Sequence, residues 1–473
     1  MRVIDFKDAK CRHCYKCVRH CAVKAISVRD EQARIMVDHC INCGRCLEVC
    51  PQNAKTFSSD LERVKGYLHQ GLKTVISIAP SYAGVLDFDR PGQVVDALLR
   101  LGFSEVRETA EGAALVTNEY KKLVKAGKMP NIITTCCPSV NDLIEKYYPD
   151  CANLMAPVVS PMIAHGRYIK KLFGPDVKVV FLGPCIAKKQ EAIGDSRVAG
   201  DVDAILTFEE LAVWLKEDGI DLHSCAEKPM GNPDPKINRL YPVSGGVIQS
   251  VITEEDADGY HKVFVDGLEN CMEMLECLQR GELDHCFIEA NVCEGGCARG
   301  PASAHWNTSY VKTKVKIENG VTYQAARGLP DMSTEELAKE FGGRGLVDPR
   351  PSEEQIRRIL RSTGKYSPED ELNGLTKYLR SLVDAESDPR ESRTCVLVPA
   401  KRWAALAAQL LRTRGFEVST AGALASIGGD PRDSARARAL VAYTKLALLA
   451  DPRDLTAWRS WCGFDNHLTN SDA

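Results

Sequence analysis

The sequence lacks the features that would direct it into or across a membrane. No uninterrupted apolar run reaches the ~18 residues that a membrane-spanning helix needs. A charged segment followed by an apolar stretch is missing near the start, and so is a twin-arginine pair. These absences predict a soluble, cytoplasmic protein without a membrane partner.

The sequence also lacks an excess of charge of either sign. It has 61 Lys and Arg residues against 64 Asp and Glu residues, which gives a formal net charge of -3. This balance argues against a general polyanion binder, so no nucleic-acid partner is expected. A phosphate-binding loop is missing too, because Ser244-Gly245-Gly246 has no Walker lysine pattern and instead predicts a tight turn.

Cysteine, by contrast, is abundant, with 20 residues in the chain. Without an export signal these predict reduced thiols and metal ligands, not disulfides. Two runs near the start, Cys11 to Cys21 and Cys40 to Cys50, each place four cysteines at the spacing that holds [4Fe-4S] clusters. Structural zinc usually takes two separated Cys-x-x-Cys pairs, which does not match tandem runs of four.

The two runs predict a ferredoxin-like module over residues 1–57 with two [4Fe-4S] clusters. In two-cluster ferredoxins the fourth cysteine of each run binds the other cluster. One cluster would then be held by Cys11, Cys14, Cys17 and Cys50, and the other by Cys40, Cys43, Cys46 and Cys21. An internal repeat supports this, since Ala25 follows the first run at the place where Ala54 follows the second.

The rest of the chain predicts an α/β domain. A length of 473 residues exceeds one hydrophobic core and predicts two to four domains. After a helical stretch over residues 60–70, short β-branched runs alternate with helical patterns, which is typical of an α/β domain with a mostly buried sheet. The predicted strands are Thr74–Ala79, Asn131–Thr135, Val177–Gly183, Asp203–Thr207 and Cys286–Glu289.

Five further cysteines follow predicted strands: Cys136, Cys137, Cys185, Cys293 and Cys297. Open α/β sheets place their sites at the carboxyl ends of strands, so these segments are expected to converge on one centre. The remaining cysteines have no cluster spacing and predict buried thiols. They are Cys151, Cys225, Cys271, Cys277, Cys286, Cys395 and Cys462.

Three segments around these cysteines resemble a known family. They are Thr135-Cys136-Cys137-Pro138, the run from Pro184 to Glu191, and Glu289-x-x-x-Cys293-x-x-Gly296-Cys297-x-x-Gly300. In order and spacing they resemble the three signature motifs of [FeFe]-hydrogenases, and the resemblance extends from residue 1 to about residue 372. It implies a hydrogenase domain over residues 73–372.

The resemblance implies a third cubane, held by Cys137, Cys185, Cys293 and Cys297. Cys297 would bridge it to a di-iron azadithiolate centre with carbonyl and cyanide ligands, completing the H-cluster. Cys136 would pass protons, although a free cysteine is also commonly a small buried hydrophobe. Around the di-iron unit, the expected neighbours are Lys188 and Ser81 on its cyanides, Glu191 beside the lysine, and Ala79, Pro80 and Pro184 in the pocket wall.

Several positions depart from the family pattern. Ser139-Val140 replaces a segment with tryptophan, and Gly183 and Asn291 replace methionines. The usual carboxylate relay aligns with Gly112 and Leu115, and the relay serine with Ala156, so the familiar proton route is broken. Glu108, Glu111, Glu289 and Glu294 are the candidates for another route. Lys189, next to the cyanide-pairing lysine, is expected on the surface.

The end of the chain predicts a separate, mainly helical segment. Composition becomes rich in Ala and Arg over residues 388–473, and a helix is expected over residues 434–449. That stretch weakly resembles a C-terminal piece of superfamily-1 DNA helicases, but without a Walker loop it cannot be a motor. This segment is either a fusion or truncation product or an accessory domain, and both interpretations stay open. No function is assigned to it.

Together these observations predict an oxidoreductase that interconverts protons and electrons with dihydrogen. Electrons would be exchanged with ferredoxin through the N-terminal clusters, and separate maturation proteins would install the di-iron unit. One alternative is a hydrogen or redox sensor, although sensory relatives generally replace the cysteine at Cys136. Another is a hydrogenase-like iron-sulfur scaffold without a di-iron centre, which the retention of Lys188 disfavours.

Overall fold

The computed structural model of the chain describes residues 3–6, 10–29, 32–252, 259–303, 309–324, 326 and 331–344. All of them lie in one compact unit, Met1–Val347. The predicted C-terminal segment 388–473, the end of the predicted hydrogenase domain, Cys395 and Cys462 lie outside the described residues. None of the helices in the described ranges has the length and apolar character needed to cross a membrane.

Strands and helices alternate along most of the described chain. The strands are β1 Ile4–Phe6, β2 Ile26–Arg29, β3 Gln32–Ile35, β4 Lys55–Phe57, β5 Thr74–Ile78, β6 Glu105–Glu108, β7 Asn131–Ile133, β8 Lys178–Gly183, β9 Ala204–Thr207, β10 His261–Asp266 and β11 Cys286–Asn291. The helices are α1 Lys16–His20, α2 Arg45–Glu48, α3 Leu61–His69, α4 Tyr82–Val85, α5 Pro91–Arg100, α6 Ala110–Ala126, α7 Pro138–Tyr147, α8 Pro161–Phe173, α9 Ala187–Lys189, α10 Phe208–Glu217, α11 Gly246–Val251, α12 Leu268–Gln279 and α13 Tyr310–Asn319. A π-helical turn, Gln190–Gly194, follows α9 directly.

The N-terminal module consists of two short antiparallel strand pairs and two one-turn helices. Strand β1 pairs with β4, and β2 pairs with β3. Both helices begin inside a cysteine run, so α1 carries Cys17 and α2 carries Cys46 at equivalent places. A small apolar core that includes Ile4, Ile26 and Ile35 holds the halves together. The two-fold repeat inferred from the sequence is thus present in the fold.

A four-stranded parallel sheet forms the centre of the α/β region, with the order β6-β5-β8-β9. Strand β5 is buried along its whole length, and β8 is buried from Val179 onward. Continuous apolar runs of this kind are expected of a parallel sheet that is covered on both faces. The largest apolar core of the protein surrounds this sheet.

A second parallel sheet has the order β10-β11-β7. The single sheet expected from the sequence is therefore divided in two, because β7 and β11 pair with each other and β10 occupies the edge beside β11. All five predicted strands are present with ends shifted by up to two residues, and the predicted helix over residues 60–70 is α3. Strands β6 and β10 were missed.

The chain that follows β5, β7, β8 and β11 carries the segments with the candidate site residues. Ala79-Pro80-Ser81 follows β5, and Pro184-Cys185 follows β8 in the first sheet. In the second sheet, β7 leads to Cys136 and Cys137, and β11 leads to Cys293. Since all of these strands belong to parallel sheets, their carboxyl ends supply the loops of one site.

Candidate functional site

Five cysteines from three loops line a single cavity. They are Cys136, Cys137, Cys185, Cys293 and Cys297, and Cys43 of the N-terminal module lies in the same wall. Its polar lining also includes Lys188, Asn291, Asn42 and Ser139. The loops come from both sheets, so the cavity is built at the junction of the two. The sequence-based expectation of convergence therefore describes the observed geometry, whereas the chemical role of each residue stays a prediction.

Local backbone features position these cysteines. Cys137 is the N-cap of α7, and Pro138 takes the first helical position, where its fixed φ suits the start of a helix. Cys297 lies in a single 3-10 turn, Gly296–Arg299. At the end of that turn a Cβ on Gly300 would lie only 2.5 Å from the carbonyl oxygen of Pro184. Only glycine lets the third motif pack so closely on the second.

The donor set suits an iron-sulfur cubane. Burial, together with the neighbouring Cys137, raises the pKa of Cys185 to about 11. Burial also raises the pKa of Cys293 and Cys297, with contributions from the neighbouring thiols. Cys185, Cys293 and Cys297 therefore favour their neutral forms until a cation binds, because metal coordination needs thiolates and releases their protons.

The spacing of these side chains does not suit a mononuclear zinc site. Among the residues that the structure describes, no three His, Cys, Asp or Glu side chains come together as one metal ion requires. Zinc binds four ligands at a single atom. In a cubane each thiolate binds a different iron atom, so the ligands are spread around the cluster. The cysteines present therefore fit the predicted cluster better than zinc.

Cys136 has a polar partner, unlike a cysteine that merely fills space. The hydroxyl of Tyr120, a buried residue of α6, lies 3.4 Å from its Sγ atom. The same hydroxyl accepts a 2.9 Å hydrogen bond from the backbone N–H of Thr135. Burial raises the pKa of Cys136 to about 12, against the opposing effects of Tyr120 and Lys188.

Lys188 is buried and held in one position. Its Nζ atom donates to Glu191 Oε2 over 2.7 Å and to the backbone oxygen of Cys136 over 3.2 Å. Burial lowers the pKa of Lys188, but the Glu191 carboxylate outweighs this and raises it overall. Ser160 donates to the same Oε2 over 3.0 Å. The π-helical turn brings Glu191 into this contact, and such turns often occur at functional sites.

Ser81 lies just before α4, at the end of β5. The residue is fully buried, yet its hydroxyl has no hydrogen-bond partner among the residues described. Buried hydroxyls are normally satisfied, so an unpaired one indicates a missing ligand or water. Ala79, Pro80 and Pro184 are also buried or nearly so, and Ala79 lies beside Gly183 at the start of the second motif.

The prediction for Lys189 was wrong. This lysine is fully buried, and its Nζ donates to the carbonyl oxygen of Ile205 over 2.7 Å. It also pairs with Glu210, whose carboxylate closes a capping box with Thr207 at the start of α10. The partners lie 16 and 21 residues away in the chain, so no local pattern could have revealed them.

The predicted break in the proton route has a structural basis at Gly112. Here α6 crosses α8 so closely that a Cβ on Gly112 would lie 2.3 Å from the carbonyl oxygen of Pro161. A carboxylate side chain does not fit at that position. Leu115 and Ala156 are buried in the apolar core, so neither leaves room for a polar relay.

Three of the four alternative carboxylates are already engaged. Both carboxylate oxygens of Glu108 share the single N–H of Arg239 Nε, at 3.0 and 2.9 Å. Glu111 is held by Arg107 and by His165 Nε2, the latter over 3.0 Å. Glu289 accepts from backbone N–H groups at the start of α11.

The fourth carboxylate, that of Glu294, has different surroundings. It lines an open cleft beside the N-terminal module together with Glu48, His20, Arg45 and Arg299. Glu294 thus lies on the module side of the third motif, in surroundings of mixed charge.

The two cysteine runs of the N-terminal module lie next to each other in the fold. Burial raises the pKa of Cys40 and Cys43, and Cys21 of the first run contributes to both shifts. The thiol of Cys14 donates to Gln52 over 3.7 Å, which places the first run beside the end of the second. The internal repeat is also visible in hydrogen bonding. Ala25 N donates to Cys21 Sγ and Ala54 N donates to Cys50 Sγ, over 3.2 and 3.3 Å.

Helix α7 connects the module to the central cavity. Its first residue follows Cys137, and near its other end Lys146 Nζ donates to the carbonyl oxygen of Cys40 over 2.7 Å. The hydroxyl of Tyr147 donates to the carbonyl oxygen of His39 over 2.7 Å. Sequence reasoning missed Tyr120 and Lys146, because each acts on a residue at least 16 positions away.

Comparisons with known proteins agree with these features. Residues 72–301 match the model of the iron only hydrogenase large subunit, C-terminal domain, and residues 3–51 match a 4Fe-4S dicluster domain. The NADP-reducing hydrogenase subunit HndD of Solidesulfovibrio fructosivorans is 28% identical over 59% of this chain and 58% of its own length. Iron hydrogenase 1 of Clostridium pasteurianum is 26% identical over 59% of this chain and 66% of its own length.

The chain spans about three fifths of the length of the curated relatives that it matches. A solved structure of the [FeFe]-hydrogenase HydA1 from Chlamydomonas reinhardtii is 19% identical, with a TM-score of 0.49, and covers 61% of this chain and 100% of that chain. The family matches and the cysteine motifs agree with one another. This chain is therefore similar to [FeFe]-hydrogenase large subunits over residues 72–301, with a match to a 4Fe-4S dicluster domain ahead of that region at residues 3–51.

Proposed function

We propose that this protein catalyses the reversible interconversion of protons and electrons with dihydrogen at an H-cluster. The observation that carries the proposal is the shared cavity, in which four candidate ligands, the free thiol of Cys136 and the buried Lys188 meet. A scaffold protein that binds only a cubane needs neither the free thiol of Cys136 nor the buried Lys188. The proposed domains are the dicluster module, residues 1–57, and the hydrogenase domain, residues 73–372.

The proposed cofactors are two [4Fe-4S] clusters in the module and one H-cluster. The module clusters take the crossed ligand sets predicted above, and Cys137, Cys185, Cys293 and Cys297 hold the cubane of the H-cluster. When bound, the di-iron unit supplies an open metal site and an amine base for heterolytic chemistry on dihydrogen. Maturation proteins would install that unit.

The protein's own groups hold this centre and move the proton. The ammonium of Lys188 provides a fixed positive charge against the anionic di-iron ligands, and Glu191 keeps it in place. The unpaired hydroxyl of Ser81 is free to donate to a cyanide. Cys136 holds a proton at Sγ, with the Tyr120 hydroxyl next to it. Burial of the surrounding loops excludes bulk water from the site.

Electrons are proposed to enter through the N-terminal module. Cys43, a candidate ligand of the second module cluster, lines the same cavity as the ligands of the third. The two clusters would then be neighbours, which suits stepwise electron transfer. Ferredoxin or a similar low-potential carrier is the proposed partner. The name of one relative says that it reduces NADP, so the carrier needs a direct test.

Infrared spectroscopy tests the proposal. Anaerobically reconstituted protein is loaded with a synthetic di-iron azadithiolate precursor and then exposed to dihydrogen. We expect protein-bound carbonyl and cyanide bands that change under the gas, and none in a matched Cys297→Ser variant. If the wild type took up all of its iron-sulfur clusters but bound no di-iron unit, the scaffold alternative would replace the proposal.

A turnover assay on the same sample then separates enzyme from sensor. Dihydrogen evolution from reduced ferredoxin at rates typical of enzymes, about 1–10³ per second, supports catalysis. Gas-sensitive bands with turnover far below that range would indicate a sensor. Reduced methyl viologen serves as a control donor, because activity with the dye but not with ferredoxin would reject only the proposed partner.

A further inference from the structure

The last described segment, residues 331–344, lies beyond the part of the chain that matches the hydrogenase model. We call it the strap. Its backbone pairs with the chain just before α8, since Val159 N donates to the carbonyl oxygen of Leu337 over 3.0 Å and Lys339 N donates to that of Pro157 over 3.2 Å. Leu337 is buried in the largest apolar core. The strap is therefore packed as firmly as the elements that carry the site.

Lys339 brings a buried ammonium group from the strap to the back of Glu191. Its side chain is 3% exposed, and its Nζ lies 3.0 Å from Asp195 Oδ2 and 3.9 Å from Glu191 Oε1. That Glu191 oxygen has no hydrogen-bond partner among the described residues, whereas Oε2 accepts from Lys188 over 2.7 Å. Glu191 thus lies between two ammonium groups, that of Lys188 at the cysteine-lined cavity and that of Lys339 at the strap.

These contacts extend into one connected network of ion pairs. Asp195 also pairs with Arg197, and Arg197 pairs with Glu145. Arg344 contacts both of these carboxylates. Burial raises the pKa of Asp195, but Arg197 and Lys339 outweigh this and lower it well below its usual range, so Asp195 is ionised.

The formal charges of this network do not cancel. It holds four cations and three carboxylates, which are Lys188, Lys339, Arg197 and Arg344 against Glu145, Glu191 and Asp195. The excess is one positive charge. A buried charge without a counter-charge is costly, so such an excess calls for an anion nearby.

The position of that anion follows from the exposure of the two ends. At the outer end Arg344 is 45% exposed, and water and salt screen exposed charges. At the inner end Lys188 is buried and lines the cysteine-lined cavity, where screening is weak. The demand for an anion is therefore greatest at Lys188.

Lys339 is the cation that creates this demand. Without it the same network would hold three cations and three carboxylates, and Glu191 would have Lys188 as its ion-pair partner alone. An ammonium group that is fully engaged by its own carboxylate attracts a second anion less strongly, and in a buried site this difference is large. Lys339 shares the charge of Glu191 and so leaves the charge of Lys188 available.

We infer that Lys339 is a positioning residue for the anionic di-iron unit, because it neutralises Glu191 from behind and leaves the Lys188 ammonium available to that unit. Both lysines stay protonated throughout, so no proton or electron is transferred. Lys339 acts through Glu191 and Lys188. The inference rests on the proposed function, since the di-iron unit belongs to it.

Infrared spectroscopy of the loaded protein tests the effect of the charge. Lys339→Met keeps the length of the side chain but removes the ammonium group. We expect its carbonyl and cyanide bands to shift to lower wavenumber, because a weaker interaction with Lys188 leaves more electron density on the iron atoms. Lys339→Arg keeps the charge and should keep the bands close to those of the wild type. Unchanged bands in Lys339→Met would overturn the inference.

A variant of opposite charge separates electrostatics from general disruption of the packing. Asp195→Asn removes a negative charge from the same network and releases Lys339 to Glu191. The bands should then shift to higher wavenumber. If both variants shifted the bands in the same direction, disruption of the packing would be the cause and the inference would be rejected.

The matched control is Lys171→Met. Lys171 pairs with Glu336 of the strap over 2.9 Å, so this change removes a cation that holds the strap but leaves the network intact. Its bands should match those of the wild type. A shift as large as that of Lys339→Met would mean that the strap acts through its packing and would contradict the inference. Thermal unfolding and iron and sulfide content show that each variant is folded and holds its cubanes.

The outcomes separate the inference from the proposed function. If the wild type took up its cubanes but bound no di-iron unit, the proposed function would fail and the inference with it. If the wild type bound the unit and the band shifts of Lys339→Met and Asp195→Asn were absent, only the role of Lys339 would be rejected. Opposite shifts in these two variants, with none in Lys171→Met, are the expected result.

Discussion

The Tyr120 hydroxyl and the Cys136 thiol lie 3.4 Å apart, so that α6 contacts the thiol through this side chain. Tyr120 is fully buried and its ring packs edge-to-face on Phe287 of β11. Because the hydroxyl also accepts from Thr135 N, it holds the first motif at two adjacent residues. Tyr120 is therefore positioned to restrict the conformations of the Cys136 side chain.

Replacing this hydroxyl is expected to impair both stability and turnover. Tyr120→Phe leaves the buried N–H of Thr135 without a partner, at a cost of about 1–3 kcal/mol. The thiol also loses a neighbour, so dihydrogen evolution should fall and its pH dependence should change. The measurements are thermal unfolding and a pH–rate profile. Tyr260→Phe is the control, since Tyr260 donates to Met129 elsewhere, and an equal loss of activity there would refute a specific role.

The charge on Lys146 is expected to tune the second cluster of the module. Lys146→Met removes a cation that donates to the Cys40 carbonyl, so the reduction potential of that cluster should become more negative. A shift on the order of 60 mV would change the one-electron equilibrium tenfold. Potentiometric titration followed by electron paramagnetic resonance measures it. A matched change at the exposed Lys125 on α6 should leave the potential unchanged.

The buried carboxyl group of Glu289 is expected to make the free energy of unfolding depend on pH. Burial raises its pKa to about 7 in the folded protein, although backbone N–H donors oppose the shift, whereas the unfolded value is about 4.3. The folded state therefore retains the proton over that interval, and the free energy of unfolding falls as pH rises from about 4.3 through 7. At 1.36 kcal/mol per pKa unit, the free energy of unfolding decreases by about 4 kcal/mol over this pH range.

Urea unfolding between pH 5 and 8 measures this dependence. Glu289→Gln is neutral throughout, so its stability should change less with pH than that of the wild type. The two slopes would be equal if another group were responsible. A protonated carboxyl band in the infrared spectrum, present at pH 5 and absent in the variant, assigns the titration to this residue.

Glu108 and Glu111 are expected to act on stability, not on proton transfer. Glu111→Gln leaves Arg107, which is buried, without its main counter-charge, and breaking a buried pair in this way costs about 3–5 kcal/mol. Glu108→Gln removes the buried partner of Arg239, but Arg239 is partly exposed and keeps its ion pair with Asp234, so the cost there should be smaller. We expect lower melting temperatures for both, with normal turnover at 20 °C for the fraction that remains folded. A turnover defect in a fully folded variant would place that carboxylate on the proton route.

The sequence was most informative where chemistry depends on local spacing. The two cysteine runs determine the module, and the strand positions follow from short apolar runs such as Lys178–Gly183. The convergence of Cys137, Cys185 and Cys293 could also be anticipated, because the carboxyl ends of parallel strands share an edge. These inferences need only neighbouring residues and one rule of topology.

Contacts between distant segments could not be inferred in this way. Nothing near Lys189 indicates burial, since its partners Ile205 and Glu210 belong to the next strand and helix. Lys339 forms an ion pair with Asp195, which lies 144 positions away in the chain. The division into two sheets likewise depends on which strands pair, and a single sequence does not specify that. Gly112 is a further case, because its role comes from the close approach of α8.

Helix α7 also links the assembly of the module to that of the central site. Its ten residues extend about 15 Å, with the proposed ligand Cys137 before the first turn and the Lys146 and Tyr147 donors in the last. Those donors need the backbone of residues 39–40 in place, and the iron bound by Cys40 is what would hold it there. Oxygen damage to the second module cluster would therefore loosen a ligand of the third. One helix thus joins the backbone at Cys40 to the position of Cys137.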